Sequence, residues 1–330
     1  MDTAVRYLGL PLRNPFIVGA GPLTWSVKAV EACAAAGAAA VVLPSLFEEE
    51  LRGETGALDE RLAEQASVHA EASEFLRAGL SLQLGGRRYL QLIRDCKSAV
   101  GIPVIASLNC LSTDWWREFA GEVAAAGADA LELNLAVVPV PGQGGREVEE
   151  RYETIVRAAR SAVRIPLAVK IAPWFSSLPE MALRLARAGA DGLVLFNRFY
   201  QPEIDIERLD VKPRNPHSQP GEHASAMRWI SLLAERIPAD FAAASGIHSG
   251  ADAIRLLLAG ASAVQVVSAL LKHGLPHLAA MREELAGWMA RHRFEEVEAF
   301  RGRLCQERNP DRELFSRIHY RTALAARQPV

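Results

Sequence analysis

The sequence is poor in cysteine and has little excess of either charge. It contains 4 cysteines among 330 residues, and no two of them form a Cys-x-x-Cys pair. Zinc sites and iron–sulfur clusters use closely spaced cysteines, so we expect no metal in this chain and free thiols. The 39 acidic and 37 basic residues give a net charge of −2, with no basic stripe. A small-molecule substrate is therefore expected, and nucleic acid and anionic membranes are not.

A long apolar segment is also missing near the start of the chain. Residues 1–20 carry Asp2, Arg6, Arg13 and two prolines. This pattern is typical of neither a signal peptide nor a membrane span, so we expect a cytoplasmic protein without membrane contact. Half of the residues are hydrophobic, which is enough for one large core.

The most informative pattern present is a repeated Ala-Gly-Ala. Glycine ends helices in the left-handed conformation, and each copy is followed by a short apolar run typical of a buried parallel strand. The four copies are Ala36-Gly37-Ala38, Ala126-Gly127-Ala128, Ala188-Gly189-Ala190 and Ala259-Gly260-Ala261. The pattern predicts helices that alternate with strands.

Four further apolar runs bring the expected number of strands to eight. They are Phe16–Val18, Pro103–Leu108, Leu167–Ile171 and Phe241–Ala244. Eight strands alternating with helices predict an α/β protein with a (β/α)₈ TIM barrel. We assign the barrel to residues 1–276 and a C-terminal helical extension, packed on the barrel, to residues 277–330. Apolar spacing from Leu278 to Leu304 predicts two or three helices in this extension.

Residues at the ends of the predicted strands meet at one mouth of such a barrel, where these enzymes carry their active sites. Several are amides, one is a lysine, and others are small enough for a ligand to approach the backbone. We expect the following to bind a cofactor: Ala20, Gly21, Ser45, Asn109, Asn134, Lys170, Asn197, Ser245, Gly246, Val267 and Ser268.

The chemistry of this set matches flavin mononucleotide (FMN). Asparagine offers a donor and an acceptor to the edge of a flavin ring, and a lysine beside the N1–O2 edge stabilises the reduced ring. The turn at Ser245-Gly246, before a helix, is suited to a phosphate. Each asparagine alone also fits a cap of a helix or turn. Lys170 also fits a Schiff-base lysine, and His217 and His223 fit acid/base groups or, more commonly, solvated loop residues.

Several segments, in chain order, resemble the soluble dihydroorotate dehydrogenases. They are Asn14-Pro15-Phe16 with Gly19-Ala20-Gly21-Pro22, Leu131-Glu132-Leu133-Asn134-Leu135, Val169-Lys170-Ile171-Ala172-Pro173 and Ala244-Ser245-Gly246-Ile247. Two more, Ser45-Leu46-Phe47-Glu48-Glu49 and Phe196-Asn197-Arg198-Phe199-Tyr200, are similar to the branch described as dihydroorotate dehydrogenase-like.

The resemblance implies an FMN-binding barrel in which Lys170 contacts the flavin and Ser245-Gly246 and Val267-Ser268 hold its phosphate. It also implies a departure at the substrate. The family's base is a cysteine or serine in an Asn-Leu-Ser-Cys-Pro-Asn loop, and here Val137 occupies that position. Pro139 stands near the loop's second asparagine, and Pro44 replaces a lysine. A valine cannot accept a proton, so dihydroorotate is not expected to be the substrate.

The function expected from these residues is FMN-dependent oxidation or reduction of another small molecule. Asn134, Asn197 and Arg198 are the candidate substrate contacts, and Arg198 fits either a carboxylate clamp or an exposed loop arginine. No acid/base residue is assigned. Two alternatives remain, a flavin-binding or electron-transferring subunit without turnover, and a phosphate-binding lyase or aldolase that uses Lys170. We also expect a homodimer, partly through tail aromatics such as Trp288 and Phe300, and possible contact with a separate electron-transfer partner.

Overall fold

The computed structural model describes residues 1–48, 85–109, 113–137, 139–198, 202–213 and 217–315. Eight parallel strands close into a barrel, as predicted. In order around the barrel they are β3 (Phe16–Val18), β4 (Ala40–Phe47), β5 (Val104–Asn109), β6 (Ala130–Asn134), β7 (Leu167–Ile171), β8 (Gly192–Leu195), β11 (Asp240–Ala244) and β12 (Ala263–Val266). The last of these pairs with β3, which closes the ring.

Nine α-helices are described around these strands. They are α1 (Val27–Ala35), α2 (Gly86–Ala99), α3 (Thr113–Ala125), α4 (Gly145–Ala162), α5 (Leu178–Ala188), α6 (Ala224–Leu233), α7 (Gly250–Ala259), α8 (Ser268–His273) and α9 (His277–His292). The predicted helix stops are confirmed, because all four Ala-Gly-Ala glycines have positive φ. At Gly189 a side chain would also collide with Arg160, since its Cβ would lie 2.4 Å from Cγ of that arginine.

A β-hairpin at the N-terminus closes the bottom of the barrel, and the sequence analysis did not predict it. It consists of β1 (Val5–Tyr7) and β2 (Leu10–Leu12). The N–H of Leu8, in the turn, donates to Asp240 Oδ2 at 2.7 Å. Leu8 also packs so tightly on Gly192 that a Cβ there would lie 2.5 Å from the leucine Cδ2. The mouth at the other end is therefore the open end of the barrel's interior.

A second hairpin follows β8 and is formed by β9 (Pro202–Asp205) and β10 (Asp210–Pro213). Pro202 and Pro213 lie at the two ends of this hairpin, which agrees with the poor fit of proline to a helix interior. Large apolar residues on this hairpin are exposed, namely Ile204, Ile206, Leu209 and Val211.

The prediction of two or three helices in the tail is wrong for the described residues. One α-helix, α9, is followed only by short 3₁₀ turns at Val297–Ala299 and Arg312–Phe315. Val297 and Phe300 are nevertheless buried, because the segment folds back on the helix layer: Gly302 N–H donates to the carbonyl of Leu257 in α7. Burial at helix-like spacing does not require a helix when another layer supplies hydrogen bonds. The division at residue 276 stays a prediction.

Candidate functional site

Polar side chains face the interior of the barrel towards its mouth, where apolar residues are the usual filling. Strand register places Ser107 opposite Glu132 and Asn134 opposite Lys170. Because paired residues of parallel strands face the same side, these four share the interior face. The buried polar residues of the strands and of their carboxyl ends are Ser45, Glu48, Ser107, Asn109, Glu132, Asn134, Lys170, Asn197 and Gln265.

Three of the predicted residues form one hydrogen-bonded chain across the mouth. Asn197 Nδ2 donates to Asn134 Oδ1 at 2.5 Å, and Asn134 Nδ2 donates to Ser45 Oγ at 3.1 Å. Ser45 Oγ lies 2.8 Å from Ser107 Oγ. Asparagine offers both a donor and an acceptor, so each of these amides can link two neighbours in the chain. None of these asparagines caps a helix.

Ser45 reaches this chain because of an irregularity in β4. The strand continues to Phe47, past Pro44, and its register against β5 shifts between Val42 and Ser45. Such an irregularity re-aims side chains. Ser107, its partner, was not predicted. Ser107 is held by Tyr89 of α2, whose hydroxyl accepts from Ser107 N–H and donates to Ser107 carbonyl.

Lys170 lies at the mouth beside a carboxylate. Its side chain is buried, and Nζ lies 3.9 Å from Glu132 Oε1. The other oxygen of Glu132 accepts from Gln265 Nε2 at 2.5 Å. Glu132 and Gln265 were missed by the sequence analysis, although a glutamate within the apolar run Leu131–Leu135, two residues before Asn134, carried the signal.

The turn after β11 has two consecutive residues with left-handed backbone, Ser245 and Gly246, each with φ of 72°. A Cβ at Gly246 would lie 2.5 Å from the backbone nitrogen of His223, so only glycine fits. His223 itself is buried, with Nδ1 3.0 Å from Gly246 carbonyl and Nε2 3.8 Å from Asp252. The interpretation of His223 as a solvated loop residue is therefore wrong. Ser268, at the start of α8, accepts from Ser218 N–H at 3.0 Å.

The small residues at the end of β3 pack on Val267. A Cβ at Gly19 would lie 3.0 Å from one methyl group of Val267, and a Cβ at Gly21 would lie 3.2 Å from the other. Ala20 between them is fully buried. The missing side chains of Gly19 and Gly21 thus leave room for Val267, and this packing is enough to explain why both residues are glycine. A cofactor contact by Ala20, Gly21 or Val267 stays a prediction.

Arg198 lines a pocket at the mouth, but its charge is already offset. Its Nε donates to Glu222 Oε2 at 3.0 Å. The pocket has a volume of about 330 Å³, and its walls include Trp174, Phe196, Asn197 and Ser245 together with this ion pair. A carboxylate ligand would have to share Arg198 with Glu222. Phe199 and Tyr200, which follow in the matched motif, lie outside the described residues, as does Glu49.

Val137, at the expected position of the base, is buried and contacts a tyrosine. Its N–H donates to Tyr152 Oη of α4 at 3.0 Å. Burial raises the pKa of Tyr152, although this hydrogen bond opposes the effect. The phenol therefore stays protonated at neutral pH and is no base. Its role here is to hold the loop backbone.

The part of the chain that the structure describes contains neither a candidate metal centre nor a helix that could span a membrane. No group of three or more His, Cys, Asp or Glu side chains there could hold a metal ion. None of the helices described is both long and apolar enough to cross a bilayer. Cys33, Cys96 and Cys305 are buried and unpaired, whereas Cys110 lies outside the described residues. Burial raises the pKa of Cys33 and Cys96 to about 11.

Comparison with known proteins gives one consistent result. A family model described as dihydroorotate dehydrogenase matches residues 3–289. A protein of Thermoplasma volcanium named dihydroorotate dehydrogenase B (NAD(+)), catalytic subunit, is 29% identical over 308 residues, 91% of this chain and 98% of its own length. A protein of Methanocella arvoryzae with the same name is 30% identical over 270 residues, 79% of this chain and 85% of its own.

Proposed function

Because the chain belongs to the dihydroorotate dehydrogenase family, we propose that it is an FMN-dependent oxidoreductase acting on a substrate other than dihydroorotate. The observation that carries the proposal is the arrangement at the mouth. Lys170, with its carboxylate partner, stands beside the hydrogen-bonded chain of Asn197, Asn134 and Ser45. Bound FMN would supply hydride transfer at its N5 atom.

The donor set at the mouth fits the polar edge of a flavin. That edge alternates donors and acceptors, and asparagine supplies both. Lys170 would stand at the N1–O2 edge, where a positive charge stabilises the reduced ring. Asn109, buried at the end of β5, would belong to the same wall. At the other end of the cofactor, the backbone of Ser245-Gly246 and the start of α8 at Ser268 would hold the phosphate.

A covalent role for Lys170 is less well supported. Glu132 lies 3.9 Å from its Nζ, and a nearby opposite charge favours the charged ammonium. A Schiff base requires the neutral amine. The carboxylate beside Lys170 therefore argues against the lyase or aldolase alternative.

The choice of substrate follows from three side chains. Val137 cannot remove a proton, and neither Pro44 nor Pro139 offers the polar side chain of its family counterpart. Tyr152, the tyrosine that contacts Val137, is bound to backbone and protonated. Nothing in this loop replaces the base. The Arg198–Glu222 pair instead offers a donor and an acceptor side by side, which matches an uncharged or zwitterionic substrate better than a carboxylate.

The test has two steps with the purified protein. Heat-released supernatant is first assayed for FMN, and protein without cofactor is titrated with FMN. Failure to bind FMN in both assays would overturn the proposal. Dihydroorotate is then added anaerobically, and we expect no bleaching of the flavin near 450 nm, a wavelength typical of oxidised flavins. Rapid bleaching would show that another group acts as base and would make dihydroorotate the substrate.

A second candidate function is a flavin-binding subunit that passes electrons without converting a substrate. The missing base favours it, and the relatives named catalytic subunit carry a name that implies further subunits. A separate electron-transfer partner is therefore proposed for this chain as well. Reduction of bound FMN by a partner, with no organic substrate reducing it in a broad screen, would favour this alternative.

A homodimer and a cytoplasmic location complete the proposal. The tail aromatics Trp288, Phe294 and Phe300 pack against one another, with ring centroids 4.9–5.5 Å apart, and Phe300 is fully buried. The hairpin β9–β10 offers more to an interface, since four large apolar side chains there are 64–88% exposed. Sedimentation should give a dimer, and Ile204→Lys with Val211→Lys should give a monomer.

Unpaired Cys33, Cys96 and Cys305 fit a reducing compartment.

A further inference from the structure

Glu132 is a charged side chain in the interior of the barrel, below the mouth. It lies on β6, only 1% exposed, in the middle of an apolar run. Removing a carboxylate from water is costly unless other groups compensate its charge. An ordinary interior position in a barrel of this kind is filled by Val, Ile or Leu. A carboxylate at this position therefore indicates a role that an apolar side chain cannot have.

The two oxygens of Glu132 are used differently. Oε2 accepts a short hydrogen bond, 2.5 Å long, from the amide of Gln265 on β12, across the barrel. Oε1 lies 3.9 Å from Lys170 Nζ, beyond hydrogen-bond distance but within the range of an ion pair. The hydrogen bond from Gln265 thus fixes the position of the Glu132 carboxylate. The interaction between Oε1 and the Lys170 ammonium is electrostatic, without a hydrogen bond between them.

The charge of Glu132 also acts on other interior groups. Tyr7, from the hairpin at the bottom of the barrel, is buried, and its hydroxyl has no hydrogen-bond partner among the described residues. Burial raises the pKa of Tyr7, and the charges of Glu132 and Asp240 raise it further. The charge of Glu132 therefore acts on Tyr7 as well as on Lys170.

We propose that Glu132, held by Gln265, is a positioning residue that attracts the Lys170 ammonium and partly offsets its charge, so that the pair sets the reduction potential of the bound flavin. The proposal rests on FMN binding as proposed above. A lysine alone would stabilise the negative charge of the reduced ring with its full charge. With a carboxylate beside it, that stabilisation is smaller, and the reduced cofactor is a stronger reductant.

The decisive measurement is the midpoint potential of the bound FMN, by equilibration with a reference redox dye. Glu132→Gln keeps the shape and removes the charge, so the potential should become more positive. We expect at least a tenfold shift of the oxidised-to-reduced equilibrium, about 30 mV for a two-electron couple. Glu132→Asp, which keeps the charge, should stay closer to the unmodified protein. An unchanged or more negative potential in Glu132→Gln would overturn the proposal.

A double-mutant cycle separates action through Lys170 from direct action on the flavin. In a Lys170→Met background, Glu132→Gln should shift the potential much less than in the unmodified protein. An equal shift in both backgrounds would refute the positioning role. If Glu132→Gln does not fold, Gln265→Met provides the second variant. It releases the carboxylate to approach Lys170, so the potential should become more negative, and a positive shift would contradict the proposal.

A readout without cofactor is the thermal stability of the apoprotein. Glu132→Gln and Lys170→Met each remove one charge of a buried ion pair, so each should lower the midpoint of unfolding, and the double variant should recover part of the loss. Strictly additive losses would argue against the pair. Absence of bound FMN in the unmodified protein would refute the proposed function. FMN binding with unaltered potentials would refute only the role of Glu132.

Discussion

At the bottom of the barrel, aspartates at the starts of strands bond to the neighbouring backbone, whereas at the mouth polar side chains bond mainly to one another. Asp129 and Asp191 each accept a backbone N–H of an adjacent strand, from Val104 at 2.7 Å and from Leu167 at 2.8 Å. Each also pairs with a cation, the first with Lys97 and the second with Arg160. Their hydrogen bonds tie strand to strand.

At the mouth the corresponding bonds join side chains from different strands and leave a pocket beside them. Asn134 and Asn197 hold each other, and Lys170 stands beside Glu132. A hydrogen bond between two side chains orients them, but it adds little to the pairing of the strands. The difference indicates that the bottom stabilises the fold and the mouth positions chemical groups.

The largest effect expected from this comparison is on cofactor affinity at the mouth. Lys170→Met should weaken FMN binding about 10- to 100-fold, because a hydrogen bond to a charged group contributes about 1.5–3 kcal/mol. Lys97→Met removes a lysine–carboxylate pair at the bottom, that of Lys97 with Asp129, and is the matched control. It should leave the FMN dissociation constant unchanged in a fluorescence titration. Equal losses of FMN affinity in both variants would show that the mouth and the bottom of the barrel do not differ in cofactor binding.

Two glycines with the same φ of 72° provide the next comparison, Gly246 at the mouth and Gly9 at the bottom. Both alanine variants carry left-handed strain of about 1–2 kcal/mol. Gly246→Ala also collides with the backbone of His223, whereas a Cβ at Gly9 meets nothing within 4 Å. Gly246→Ala should therefore lower both stability and FMN affinity, and Gly9→Ala stability alone. Urea unfolding and FMN titration of both variants measure this. Unaltered FMN affinity in Gly246→Ala would remove this turn from the phosphate site.

The smallest effect is expected for a half-exposed aspartate at the bottom. Asp191→Ala removes the acceptor for Leu167 N–H and the partner of Arg160, so unfolding should become easier by about 1–2 kcal/mol. FMN affinity should not change. Thermal unfolding with and without FMN tests both statements, since a ligand adds the same stabilisation to variant and unmodified protein if its affinity is unaltered. A smaller stabilisation by FMN in the variant would show that a change at the bottom of the barrel alters FMN binding at the mouth.

Much of the fold was predictable because its signals are local. A glycine that ends a helix and the apolar run that follows it lie within a few residues, and all eight barrel strands were expected close to their observed positions. The N-terminal hairpin was not predicted because it contains few polar residues. The alternation of apolar and polar residues that is typical of a strand is therefore weak in this segment. The tail was misjudged because Val297 and Phe300 are buried by packing on other layers and not by a helix of their own.

The candidate site was predictable as a set of residues but not as a set of contacts. Strand ends point to one mouth in any parallel barrel, and a period of two tells which residues share a face. Sequence reasoning therefore found Asn134, Lys170 and Asn197. It treated them as independent groups and overlooked Glu132, whose importance comes from a partner on another strand.

By itself, the sequence determined the alternation of helices and strands, the residues at the mouth and the valine at the position of the base. Only the tertiary structure decided which of these residues meet. Closure of the barrel brings Gln265 of β12 to Glu132 of β6, 133 residues away, and the packing of Val267 decides what the glycines of β3 accommodate. Local pattern sets the direction of a side chain. The distance between two side chains from different strands depends on register and closure, which belong to the whole barrel.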